Sequence, residues 1–254
     1  MALFTDGPIS SIEDLTAQDS QLLNVANVEG IDVTQKLALA QEQLALDLTT
    51  LLDRMSFVSQ ASWLAPPPSL GSVVITPALK MWHTFHTLEL VYADAYASQL
   101  NDRYAARRDQ FHEQSKRASD QLAGTGIGIA STPVPQAAAP RVVAAAGSLP
   151  DNTYYVTMSW TNSTNEEGSP AVTSAITTSQ STLLVQPVAP PANATGWNVY
   201  VGTDPDGLEL QNASPIAAGQ TWLQPDTVTT GGRGPGTGQP ANYLRPAPRV
   251  IQRG

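Results

Sequence analysis

The chain has 254 residues, a formal net charge of −9 and no cysteine, which excludes disulfides and thiolate metal sites. Its length accommodates one large or two ordinary domains. Its acidic balance is unsuited to general nucleic-acid binding, because phosphate contacts require many Lys and Arg side chains. No apolar run is long enough to span a bilayer and residues 1–10 lack the features of a signal peptide, so we expect a soluble, non-secreted protein without membrane contact.

The charges are unevenly distributed along the chain. Residues 1–100 carry 11 acids and 3 bases, whereas residues 101–122 carry 4 acids and 5 bases. Residues 123–240 are acidic again, with 7 acids and 2 bases, and residues 241–254 carry three arginines and no acid. We therefore expect an acidic body that DNA can pass without sticking, one short segment with a basic excess and a basic tail.

Two helices are predicted before residue 55. Ser10 begins a run with capping-box spacing, so the first helix is predicted to start at Ser10 or Ser11 and to end before Gly30. Asp32 is the predicted N-cap of the second helix, whose apolar residues recur at helical spacing. They are Val33, Leu37, Ala40, Leu44, Leu48, Leu51 and Leu52.

A third predicted helix is unusually long. Thr76 and Pro77 form a favourable N-cap and first helical position, and no further breaker follows up to residue 121. Over 76–121 the helical repeat places large apolar side chains on one face. They are Met81, Trp82, Phe85, Leu88, Tyr92, Tyr96 and Leu100. Residues 1–128 are therefore predicted to form an all-α bundle with one very long helix.

Beyond residue 100 the same face combines aromatic and arginine side chains. Tyr and Arg are favoured at protein interfaces, so this end of the helix is predicted to contact another subunit or a partner. The plainer alternative is a half-solvated helix whose arginines form local ion pairs. As a nucleic-acid site the patch is weak, because acidic residues are interleaved with the basic ones. The candidate subunit or portal contacts are Arg103, Tyr104, Arg107, Arg108, Phe111 and Arg117.

The pattern changes after residue 124. Residues 129–150 are rich in Pro and Ala and are predicted to be a linker. Residues 151–224 contain six or seven short alternating runs separated by turn residues, which predicts a β-sandwich and hence an α+β multidomain chain. Residues 225–254 cannot bury a core and are predicted to be a flexible tail. Three tail arginines are candidates for draping over an acidic partner: Arg245, Arg249 and Arg253.

Chemistry-bearing residues are few. His83, His86 and Glu89 are spaced so that they could line one side of a helix, but two histidines three apart are a weak metal signal without a second helix. Helical projection places His83 nearly opposite the apolar stripe, which favours a solvent-facing or packing role. No nucleophile elbow, zinc-protease motif or Walker loop occurs. We expect no cofactor, no metal and no enzymatic activity.

The helical half resembles the head-to-tail connector proteins of tailed phages, of the adaptor type. The resemblance covers roughly residues 10–128 and lies in four runs. They are Asn27-Val-Glu-Gly-Ile-Asp32, Gln35-Lys-Leu-Ala-Leu-Ala-Gln41, Thr76-Pro-Ala-Leu-Lys-Met-Trp-His83, and Tyr96-Ala-Ser-Gln-Leu-Asn-Asp-Arg-Tyr104 leading into Arg107-Arg-Asp-Gln-Phe111. The second half is similar to fibronectin type III or immunoglobulin-like modules appended to virion proteins, through Tyr154-Tyr-Val156 and Gly196-Trp-Asn-Val-Tyr-Val-Gly202.

The resemblance implies a virion protein at the head–tail junction, made in the host cytoplasm. Such adaptors form a ring, typically of twelve copies, between the portal protein and the next neck or tail component, with DNA passing through the lumen. The appended β-sandwich would then decorate the neck or contact the capsid. An alternative is a binding module whose β-sandwich recognises a host glycan or protein, with Tyr155 or Trp222 as a sugar-stacking surface.

Overall fold

Helices and strands are segregated along the chain. The structure is a computed structural model that describes residues 1–58, 68–99 and 102–245. It divides into a helical unit, formed by Gly7–Ile129 and the part of the chain from Ala241, and a β unit, formed by Met1–Asp6 and Ala130–Pro240. The expected α+β class is confirmed, and most of the β unit is inserted within the sequence of the helical unit.

The helical unit contains five described α-helices. They are α1 (Ile12–Gln18), α2 (Leu22–Glu29), α3 (Val33–Val58), α4 (Pro77–Gln99) and α5 (Ala105–Thr125), with short 3₁₀ turns at Leu70–Ser72 and Asp102–Tyr104. Among the described residues, no helix is both long and apolar enough to cross a membrane.

The predicted helix starts are confirmed by their caps. The Ser11 side chain caps α1, and the Asp32 carboxylate accepts hydrogen bonds from two backbone amides at the start of α3. The amide of Leu79 donates to the Thr76 hydroxyl at the start of α4, over 3.3 Å. The predicted first helix is instead two helices, because Asp19 adopts an extended backbone and its carboxylate accepts from the Gln21 amide.

The prediction of one very long helix over 76–121 is wrong. The chain reverses between α4 and α5, and the two helices pack against each other. Phe111 stacks on Tyr92 with ring centroids 5.4 Å apart, and Tyr104 contacts the same ring at 6.2 Å. Folding back buries these rings inside the unit, whereas a continuous helix would leave them exposed.

Helix α4 lies at the centre of the helical unit and contacts α1, α2, α3 and α5. A short antiparallel pair, β1 (Ile127–Ile129) and β10 (Asn242–Leu244), joins the two chain segments of the unit. One core cluster lies between the helices. Its members are Leu15, Leu22, Ala26, Val33, Leu88, Val91, Tyr92, Ala95, Tyr104 and Phe111.

The β unit contains two antiparallel sheets that share one core. The strands are β2 (Arg141–Ala146), β3 (Asn152–Thr161), β4 (Ser174–Thr178), β5 (Ser181–Gln186), β6 (Gly196–Gly202), β7 (Glu209–Leu210), β8 (Ile216–Ala217) and β9 (Trp222–Leu223). One sheet has the order β2-β5-β9, and the other has the order β4-β3-β6-β7, with β8 also pairing with β6. The predicted inward face of β3 is confirmed, since Tyr154, Val156, Met158 and Trp160 all belong to the core.

The linker prediction for 129–150 is wrong. Strand β2 lies inside this segment, and Val134 and Leu149 are buried in the β-unit core. Two Val residues followed by three Ala residues in β2 pair with β5, so the small side chains that favoured a linker in the sequence form a sheet strand.

The tail prediction is wrong for the described residues 225–245. Gln239 is buried, its side-chain oxygen accepts from the Val134 amide at 2.6 Å, and its amide group donates to the Thr132 carbonyl at 2.9 Å. The N-terminal amine of Met1 donates to the Gln239 carbonyl at 2.9 Å. Hydrogen bonds of polar groups therefore order this Gly- and Pro-rich segment. A pattern of hydrophobic residues does not indicate such bonds.

Candidate interface on the helical unit

A solvent-open groove of about 310 Å³ lies between α2 and the start of α5. The α2 side contributes Gln21, Asn24, Val25 and Val28, which recur at helical spacing on one face. The opposite side contributes Arg103 and Arg107, and the rings of Tyr92 and Tyr104 complete the lining. This "α2–α5 groove" therefore has one partly apolar wall and one basic wall.

The end of α2 fixes the start of α5. The Glu29 carboxylate accepts from the Tyr104 hydroxyl at 2.8 Å, from the Ser98 hydroxyl at 2.9 Å and from Arg103 at 3.2 Å. The hydrogen bonds from Tyr104 and Ser98 hold the pKa of Glu29 below its ordinary value. Arg103 also stacks over the Tyr104 ring at 4.4 Å. The basic wall of the groove is thus anchored by contacts within the unit.

The inner end of the groove rests on a buried hydrogen bond. The Tyr92 hydroxyl donates to the Asp19 carboxylate, which lies between α1 and α2. Burial and this neighbouring carboxylate raise the pKa of the Tyr92 hydroxyl. Tyr92 therefore joins α4 both to the α1–α2 connection and, through its ring, to α5.

Two of the predicted interface residues are internal. Tyr104 is 5% exposed and Phe111 is 2% exposed, because both rings pack on Tyr92. Tyr104 contributes only a small exposed area to the groove lining, and Phe111 supports the groove from inside through Tyr92. The prediction that they form an uncovered aromatic end is wrong, since it assumed that the helix continued past residue 100.

The predicted arginines differ in their surroundings. Arg103 bonds Glu29, and Arg108 stacks over Tyr96 at 4.4 Å while bonding Asp109 at 2.7 Å. Arg107 is exposed, and its guanidinium donates to the neutral side chain of Gln110 at 3.1 Å. Arg117 is also exposed, two turns beyond Gln110 on α5. Arg107 is therefore the arginine at the groove best placed for a new anionic partner.

Arg245 is the one predicted tail arginine among the described residues. It follows β10, and its Nε donates to the Thr125 carbonyl at 3.1 Å. It lines a second open pocket of about 360 Å³ together with Tyr243 and the start of α4. Arg249, Arg253 and also Leu100 lie outside the described residues.

His83 is buried and does not face solvent. Its Nε2 lies 3.1 Å from the Leu37 carbonyl, to which it donates, so Nδ1 accepts from the Ser10 hydroxyl at 3.0 Å. Burial lowers the pKa of His83 to about 4. Of the two roles expected for His83, solvent-facing or packing, the structure shows packing, because α3 covers the side of α4 opposite the apolar stripe.

A carboxylate bridge joins three helices near the middle of α4. Glu89 accepts from Nδ1 of His112 at 2.8 Å and lies 3.1 Å from Nδ1 of His86, and Nε2 of His86 is hydrogen-bonded to the Gln43 side chain at 2.6 Å. The two histidines hold the pKa of Glu89 down to about 2. The weak metal signal of His83, His86 and Glu89 in the sequence does not correspond to a ligand cluster: among the described residues no group of three or more His, Asp or Glu is arranged to hold a metal ion.

The β unit contains a separate, partly buried carboxylate. Glu167 accepts from the hydroxyls of Ser159 and Tyr200, and from Arg233 at 2.7 Å. Despite the opposing effect of burial, these donors hold the pKa of Glu167 below its ordinary value. The sequence placed Glu167 only in a turn-rich segment, because its partners are far away along the chain.

The aromatic residues considered for sugar stacking are not fully exposed. Trp222 packs against the β-unit core, and Tyr155 is half-buried on β3. No protein-family model matches the chain, and searches of curated proteins and of solved structures likewise found no match. Function must therefore be inferred from the residues of the chain itself.

Proposed function

We propose that this chain is a structural virion protein of a tailed-phage neck. Copies form an adaptor ring that joins the portal protein to downstream tail components, and DNA passes through the lumen without sequence-specific binding. The observation that carries the proposal is the α2–α5 groove. Its basic wall and the rings of Tyr104 and Phe111 come from the run 96–111, which bears the strongest resemblance to connector adaptors, and Arg107 is exposed there.

The charge of the chain supports a role around DNA rather than on it. The formal net charge is −9, and the exposed face of α3 carries Glu42, Asp47 and Asp53. Acidic surfaces repel phosphates, so a channel formed by such a body lets DNA move without trapping it. The proposal includes no enzymatic step and no cofactor: the side chains best suited to catalysis, His83, Glu89 and Glu167, hold helices and strands together.

We further propose that the β unit is an immunoglobulin- or fibronectin III-like sandwich that decorates the neck or contacts the capsid. The sheet order β4-β3-β6-β7 corresponds to C′-C-F-G of that fold, and the β2–β5 pair corresponds to B-E. Trp160 on β3 is buried where immunoglobulin domains place a core tryptophan on strand C. Strand β9 extends the smaller sheet on the other side of β5.

The proposal is tested by electron microscopy of particles purified from cells that produce this chain, labelled with an antibody against the β unit. Label confined to the head–tail junction is expected, and averaging along the particle axis then gives the ring symmetry. Label at a distal tip would favour the alternative, a host-recognition module. Antibody absorbed beforehand with purified chain is the control, and absence of label from all particles would refute a virion role.

A further inference from the structure

Helix α3 carries an exposed stripe of unusual composition. Its inner face is buried, yet Leu46 is 71% exposed and Leu39 is 37% exposed. These leucines are seven residues apart, so they lie on one face two turns apart, and the exposed Glu42 lies between them. We call Leu39, Glu42 and Leu46 the α3 stripe. Solvent-exposed leucines aligned on one side of a helix are typical of a face that a partner covers.

The α2–α5 groove has the complementary chemistry. Val28 on its α2 wall is 58% exposed, with Val25 one turn earlier, and Arg107 stands on the opposite wall. An occupant with apolar side chains along one line can pack on the apolar wall, and a carboxylate beside them can pair with Arg107 on the basic wall. An amphipathic helix laid in a groove through residues spaced at i, i+3 and i+7 is a common mode of protein recognition.

We infer that the α3 stripe of one copy docks in the α2–α5 groove of the next copy. Leu39 and Leu46 pack against Val25 and Val28, and Glu42 pairs with Arg107. The inference rests on the proposed function for its biological setting. It adds to that function the identity of the surfaces that assemble the ring.

The two partners are surfaces of the same chain, which favours a second copy as the occupant. Neither is satisfied within one copy: the stripe is exposed, the groove is open, and the side-chain hydrogen bond of Arg107 goes to the neutral Gln110. Among the described residues Glu42 takes part in no ion pair. Because the two surfaces differ, a pair of copies keeps one free groove on one copy and one free stripe on the other, so assembly continues until a ring closes.

The absence of cysteine allows a direct test by disulfide crosslinking. Leu46→Cys and Val28→Cys are introduced singly and together, and purified full-length chains at high concentration and assembled particles are oxidised and separated on denaturing gels. Mixing the two single variants is expected to give crosslinked dimers, each single variant alone gives none, and the double variant gives a ladder of higher multimers. Circular dichroism verifies that each variant folds.

Matched controls separate this interface from random collision. Val28→Cys is combined with Ala123→Cys, an exposed position on α5, and this pair is expected to stay uncrosslinked. Arg107→Glu should abolish the ladder, and adding Glu42→Arg should restore it, whereas Lys116→Glu on α5 leaves it intact.

Each outcome decides one question. The inference is overturned if the double variant gives no ladder either in solution or in particles. It is also overturned if a single variant alone forms crosslinks, since that would mean a symmetric dimer. A ladder in a protein that antibody labelling places away from the head–tail junction keeps the interface and refutes the proposed neck function.

Discussion

The helical unit and the β unit secure their buried polar groups in different ways. All three histidines of the chain lie on α4 and α5. His83 and His86 join α4 to α3 through hydrogen bonds to Leu37 and Gln43. The β unit contains no histidine and uses Glu167 with two hydroxyls and an arginine instead. The helical unit should therefore lose stability already below pH 6.5, where His83 acts, whereas the β unit should lose stability only in stronger acid, where Glu167 acts. Four experiments test how the two units differ.

The largest effect is expected from Phe111→Ala. This change removes the ring that stacks on Tyr92 and leaves a cavity in the helical core, which costs about 3–5 kcal/mol of unfolding free energy. Hydrogen exchange resolved along the chain should show faster opening in α4 and α5 and unchanged protection in β3 and β6. Trp197→Ala in the β-unit core is the matched control and should show the reverse. Equal loss in both units after either change would mean that they unfold as one.

Mild acid is expected to destabilise the helical unit through His83. Its pKa is about 4 in the folded chain and 6.5 ordinarily, so below pH 6.5 the unfolded chain binds a proton that the folded chain does not. The free energy of unfolding then falls by about 1.4 kcal/mol per pH unit, reaching a loss of about 3 kcal/mol near pH 4. Denaturant unfolding at several pH values, followed in each unit, measures this slope.

The variant His83→Gln isolates that contribution. Glu89 raises the pKa of His112, so this pair gains strength as the pH falls and opposes part of the loss. His83→Gln leaves the His112 contribution in place and should flatten the slope between pH 6.5 and 4 in the helical unit alone. An unchanged slope would assign the acid sensitivity to other groups.

A smaller effect is expected from Glu167→Gln in the β unit. The change removes the charge that pairs with Arg233 but keeps an acceptor for the two hydroxyls, so we expect a loss of about 1–2 kcal/mol, because Arg233 is half exposed. Tyr200→Phe, which deletes one donor only, is the comparison. Thermal unfolding of the β unit provides the measurement, and a loss confined to the helical unit would contradict the assignment.

The smallest effect on stability is expected from Arg107→Glu. Arg107 is exposed, and its side-chain hydrogen bond to a described residue goes to Gln110, so the free energy of unfolding should change by less than about 0.5 kcal/mol. Assembly should nevertheless fail, because a carboxylate would face Glu42 of the next copy. Particle yield and sedimentation of the purified variant measure the two properties separately, and normal assembly would count against the interface.

Particular residues show how far sequence reasoning reached. Thr76 with Pro77, and Asp32, were predicted as helix starts because a cap acts on amides within three residues. The sequence identifies part of the groove, since the candidates Arg103 and Arg107 lie in it. No sequence pattern indicates Val25 and Val28, and Tyr104 is almost fully buried instead of forming an exposed contact. The α2 wall could not be predicted because α2 and α5 are about 75 residues apart in sequence, as the Tyr104–Glu29 hydrogen bond illustrates.

The helix caps, the inward face of β3 and the division into helical and β-rich parts can be predicted from local sequence, since they depend on neighbouring residues and on short periodic patterns. The folding back of α5 on α4 cannot be predicted in this way, because the helical repeat is the same whether or not the chain turns. The same holds for the burial of His83 and for the buried hydrogen bonds of Gln239. Burial and distant hydrogen bonds depend on which surfaces meet, and that is a property of the whole fold.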